Sequence, residues 1–113
     1  MPDRRFEFAK LCRDKDFPPP DEHTMDGLRD IVDEGVLGAS NHVSLALPLV
    51  ARVARVARPT GRDEALELAR FIEETRGIGA PIVANALRWQ TAGVAEMSAD
   101  EAAELLETRA ADW

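Results

Sequence analysis

Apolar positions along this chain recur every three or four residues, and no stretch alternates apolar with polar, so the elements they predict are helices. Over residues 3–16 the spacing predicts a short amphipathic helix with Phe6, Phe8, Leu11 and Cys12 as packing positions. Pro18, Pro19 and Pro20 then break it, because consecutive prolines cannot continue a helix and favour a stiff, extended connector. Residues 1–20 therefore read as an arm that docks on the main body or on a partner, and residues 21–113 as a helical bundle domain. A second helix is predicted to start near Thr24, with Met25, Leu28, Ile31 and Val32 on one face and Gly35 as its stop. Ser40 or Asn41 is placed to cap the next helix, within which Pro48 marks a kink or a restart. Val50, Val53, Ala54 and Ala57 form one face of it, and Arg52, Arg55 and Arg58 another.

Pro59 ends that helix, and Thr60 with Asp63 opens the following one in a capping-box-like arrangement. Its buried stripe is Leu66, Ala69 and Ile72, and Gly77 closes it. The sequence GIGAP reads as a tight connection, after which Ile82, Val83, Ala86, Leu87 and Trp89 or Gln90 continue as a helix towards Gly93. In the last element Ser98 and Glu101 form a capping box, and Ala102, Leu105 and Leu106 make the apolar stripe. The C-terminal Trp113 must pack on something or lie exposed. The expected fold is all-α, a small helical bundle of about five helices with an N-terminal arm.

Composition narrows what such a bundle does. A chain of 113 residues fits one domain, and 45% apolar residues are enough to bury a core. The formal net charge of −7 repels a polyphosphate backbone and argues against nucleic acid. Arg52, Arg55 and Arg58 are the local exception, read either as a solvated outer face or as an anion- or partner-docking surface. The single cysteine, Cys12, forms no intrachain disulfide and suits a reducing interior. Neither a signal-peptide pattern nor a run near the ~20 apolar residues of a membrane span is present, so a cytoplasmic location is expected.

Candidate chemistry is sparse. His23 and His42 are isolated and Cys12 has no neighbour at ligand spacing, so neither a metal nor any other cofactor is expected. Without a nearby base, Cys12 reads as a small packing residue. The pairs Asp33–Glu34, Glu73–Glu74 and Asp100–Glu101 fit solvated helix ends better than acid–base catalysis. Two turns remain. Gly38, Ala39 and Ser40 precede a helix start whose free N–H groups suit an anion, and Arg76 stands beside Gly77 and Gly79, again before a helix.

These two turns carry a resemblance. The stretch from about Met25 to Trp89 resembles the N-terminal helical domain of the superfamily of methylthioribose-1-phosphate isomerase, ribose-1,5-bisphosphate isomerase and the regulatory subunits of translation initiation factor 2B. The residues in question are Val36-Leu37-Gly38-Ala39-Ser40, then Glu74-Thr75-Arg76-Gly77-Ile78-Gly79-Ala80, and finally Asn85-Ala86-Leu87-Arg88-Trp89. The resemblance implies a phosphate-binding role for Arg76. The chain departs from the pattern at Leu37, where the isomerases carry a substrate-binding arginine, and at Gly77, where a proline is usual; its second turn is also about one residue longer before Asn85. Family members further possess a large Rossmann-like domain that supplies a catalytic cysteine and aspartate, for which this sequence has no counterpart.

The expectation that follows is a helical subunit docking on a separate Rossmann-like partner, with Trp89, Trp113, Arg52 and Arg55 as partner-binding residues. Such a subunit would lend Arg76, Gly38, Ala39 and Ser40 to a pocket for a phosphorylated sugar or nucleotide. The isolated chain is not expected to be catalytic, and a homo-oligomer with a site between protomers is a lesser alternative. A second reading is a regulatory or scaffold module with no small-molecule role, favoured by Leu37 and by the acidic surface.

Overall fold

A computed structural model of the chain describes residues 4–33, 38–57 and 59–113, the Ala39 side chain excepted. Its elements are α1 (Arg5–Asp14), α2 (Glu22–Leu28), a π-helical turn (Arg29–Asp33), α3 (Ala39–Val56), α4 (Gly61–Glu74), α5 (Arg76–Gly79), α6 (Pro81–Thr91), a 3₁₀ turn (Val94–Glu96) and α7 (Ala99–Asp112). The fold is all-helical, and no strand occurs among the described residues. Among the described residues seven α-helical segments replace the expected five or so, partly because GIGAP is not a plain connection: Arg76–Gly79 makes a helical turn of its own. The Gly35 stop, the Val36-Leu37 half of the first turn and Arg58 lie outside the described residues.

The longest helix, α3, is the axis, and α4, α6 and α7 all pack on it. Its inner face of Val43, Ala46, Leu47, Val50, Val53 and Ala54 is buried; of the face predicted from spacing, Val50, Val53 and Ala54 lie inside and Ala57, at the end of the helix, is half-buried. Pro48 lies inside α3 without ending it, and its ring faces outward, where the lost backbone donor costs least. Leu68 and Ile72 of α4, Leu87 of α6 and Leu106 of α7 close the core, each contributing roughly 1.5–3 kcal/mol by leaving water. The small residues between them set the helix spacing. A Cβ on Gly61 would lie 2.2 Å from the Ala54 carbonyl oxygen, so glycine there lets α4 start directly against α3.

The N-terminal segment belongs to the same core. Phe8 and Cys12 of α1 are 2% and 1% exposed, and the Phe8 ring stands 5.6 Å from that of Phe71 on α4. Phe6, expected to pack, is instead exposed and lies under the Arg5 guanidinium. Asp33 holds the start of α1 in place by accepting from the Arg4 and Arg5 backbone N–H groups at 2.7 and 3.3 Å.

Helix starts differ from expectation in three places. α2 begins at Glu22 rather than near Thr24, because Asp21 accepts from the Thr24 N–H at 2.9 Å and caps it. α3 is capped by Gly38, not by Ser40 or Asn41, which already lie within the helix. Thr60 flanks α4 but does not cap it; its hydroxyl donates to the Glu64 carboxylate in the next turn and to the Ala57 carbonyl. At α7 the expected partners do meet: Ser98 Oγ accepts from the Glu101 N–H at 3.2 Å and donates to the Glu101 carboxylate at 2.9 Å.

Candidate partner-docking site

The sequence of α6 builds two unlike faces. Pro81 occupies its first position, where proline's fixed φ and missing N–H suit a helix start. Val83, Ala86, Leu87 and Gln90 then follow at helical spacing and are all buried. The buried Gln90 amide donates to the Leu47 carbonyl of α3 at 2.8 Å and to the Leu106 carbonyl of α7 at 3.1 Å, fixing α6 between its neighbours. With that stripe inside, Ile82, Asn85 and Trp89 must face outward. Gly93, at φ +78°, takes the left-handed turn that ends the element, and Arg109 of α7 donates to the carbonyls of Trp89, Gln90 and Ala92 at 3.2, 2.9 and 2.8 Å.

That arrangement brings two sequence-predicted residues together. Trp89 and Trp113 stack in a tilted pair with centroids 5.6 Å apart, yet remain 41% and 54% exposed. Ile82, two turns before Trp89 on the same face, is 44% exposed, and Ile78 on α5 is 78% exposed. Sequence periodicity had grouped Ile82 with the buried Val83. The signal that separates them is the complete inner stripe of Val83, Ala86, Leu87 and Gln90, which leaves Ile82 opposite.

Arg52 and Arg55 occupy a different place, beside a groove between α3 and α7 that Pro48, Ala51, Ala110 and Ala111 also line. Neither is a bare positive charge. Arg52 grips Asp21 with both amino groups, at 3.1 and 2.9 Å, and Arg55 pairs with Glu107 of α7. The guanidinium beside Asp21 holds that carboxyl well below the usual range. These pairs tie α3 to the connector and to α7.

Of the two turns of the phosphate expectation, the first is described from Gly38 onward and the second throughout. Gly38 stands at the extended position before α3, and Ser40 is an exposed residue of its first turn. Arg76 is half-buried, and its Nε donates to the Ile31 carbonyl at 2.8 Å, joining α5 to the π-helical turn. That bond uses one of the five N–H donors of the guanidinium. Cys12 offers little nucleophilicity, because burial, together with the charges of Glu64 and Glu67, pushes its thiol up to about 11. Among the described residues no three His, Cys, Asp or Glu side chains gather as metal ligands, and no helix is long and apolar enough to cross a membrane.

Compared with protein families, curated proteins and solved structures, the chain matches none.

Proposed function

We propose that this chain is a helical docking subunit that binds another polypeptide through the Trp89–Trp113 pair and the outer face of α6. The observation that carries this reading is the exposure of two stacked tryptophans with Ile82 on the same helix face. Large apolar groups exposed together favour a partner, and tryptophan is among the residues most often dominating binding energy at interfaces. The buried side of α6 is fixed by Gln90 and by Arg109, so the outer face is presented on a rigid element. The partner class proposed is a Rossmann-like protein, on the strength of the motif resemblance over Met25–Trp89.

Quantitative co-purification tests it, with the tagged chain at native expression level and the exposed, remote Arg13→Ala as control. A stoichiometric partner retained by wild type and control, and reduced at least tenfold by Trp89→Ala with Trp113→Ala, is expected. The variants should keep the wild-type circular dichroism. Retention of the partner by the double variant, or a chain that carries no partner, would contradict the proposal.

A further inference from the structure

A second feature shares no residue with the tryptophan face. Beneath the triproline connector lies a cavity of about 180 Å³, walled by Phe8 of α1, by Pro18 and Pro19, and by Val53 and Ala57 at the end of α3. Two carboxylates, Asp21 and Glu64, reach its lining. Asp21 is neutralised by the two-pronged grip of Arg52 and by the Thr24 N–H. Glu64 is not. It is 5% exposed, its hydrogen bond comes from the neutral Thr60 hydroxyl, and no cation among the described residues pairs with it.

The groups around Glu64 do not supply the missing charge. The nearby Cys12 thiol is neutral, and Glu67 one turn further along α4 faces Lys15 at 3.5 Å. Burial accordingly pushes the Glu64 carboxyl up from its ordinary value. A buried carboxylate without a counter-charge is costly, and a cation entering the cavity removes that cost. The volume limits the candidate, because an apolar cavity of ~150 Å³ receives a molecule of about benzene's size. The apolar lining asks for hydrocarbon and Glu64 for one positive charge.

We propose that this cavity binds a small primary amine, its ammonium donating to the Glu64 carboxylate and its hydrocarbon lying against Phe8, Pro18 and Val53. A free alkylamine and a lysine side chain present the same chemistry, so both belong in the test.

Titration of the full chain at neutral pH with pentylamine, 1-pentanol and pentanoate, followed by NMR, separates charge from bulk. Pentylamine should saturate, pentanol should bind at least tenfold more weakly, and pentanoate should not bind. Glu64→Gln still accepts from Thr60 and should weaken pentylamine at least tenfold. Ala57→Phe, which fills the cavity with Glu64 intact, should abolish binding, and either variant alone suffices if the other fails to fold. Competition by N-acetyl-lysine methylamide would identify a lysine side chain as an alternative source of the ammonium. Equal binding of amine and alcohol, binding indifferent to Glu64→Gln, or no saturation by any amine would overturn the proposal.

Discussion

Gly61 shows how one missing carbon decides a helix pair. An alanine there would drive its Cβ into the Ala54 carbonyl oxygen, and backbone at that depth cannot move aside cheaply. Gly61→Ala should therefore cost about 2–3 kcal/mol in urea unfolding. Gly79→Ala, with open space around it, should instead stabilise by about 0.5–1 kcal/mol. Two carboxyls give opposite responses to acid. Folding lowers the Asp21 pKa, so its contribution is present above the unfolded value of about 3.9 and lost as the pH falls. Folding raises the Glu64 pKa, so its contribution is present below the unfolded value of about 4.3 and lost as the pH rises. Asp21→Asn, which keeps a capping oxygen, should be less stable than wild type at neutral pH and converge with it in acid. Glu64→Gln should gain on wild type as the pH rises above about 4.3, the unfolded value. Thermal melts from acid below the unfolded Asp21 value up to neutral pH check both. Neither carboxyl stood out in the sequence, since nothing local to Asp21 announces Arg52, thirty-one positions away.

Elements were more legible than their ends. The inner faces of α3, α4 and α7 follow their spacing in outline, because burial along a helix repeats every three to four residues. Leu66 and Leu105 of the expected stripes, however, are only half-buried, and Leu68 and Phe71 fill the α4 core beside Ala69 and Ile72. Helix starts depended on partners that spacing does not carry. Asp33 serves α1 from the π-helical turn, and Thr60 turns to Glu64 in place of capping. The double reading of Trp89 or Gln90 as inward-facing is settled by Gln90, whose amide bridges α3 and α7. Its Oε1 has no hydrogen-bond partner among the described residues, so part of the gain from the two donated bonds is offset. Gln90→Leu, matched in size, should stay within about 1 kcal/mol of wild type. Gln90→Ala should lose about 2–4 kcal/mol through the cavity it leaves. A Leu variant as damaged as the Ala variant would show that the donated bonds, rather than packing, hold α6.

Taken whole, the chain is one body, with Phe8 and Cys12 of the N-terminal segment in the same core as Leu106 of the last helix. Its Cα radius of gyration of 12.7 Å is close to the roughly 13 Å expected for a compact chain of this length. The stacked tryptophans are therefore outside a core that is already closed, and the proposed docking role assigns their exposure to a second polypeptide. Nothing in the periodicity could place Trp113 against Trp89, because that contact depends on how α7 returns beside α6. Both tryptophans of the chain lie in this pair, so the intrinsic fluorescence reports on the site alone. Acrylamide quenching of that fluorescence, with both tryptophans replaced biosynthetically by 5-hydroxytryptophan so that the chain is excited apart from its co-purified partner, is the most direct measurement in the free chain and in the complex. Ready quenching in the free chain and at least a severalfold loss of it in the complex are predicted. Tryptophans already shielded in the free chain, or equally quenched with the partner bound, would contradict the account.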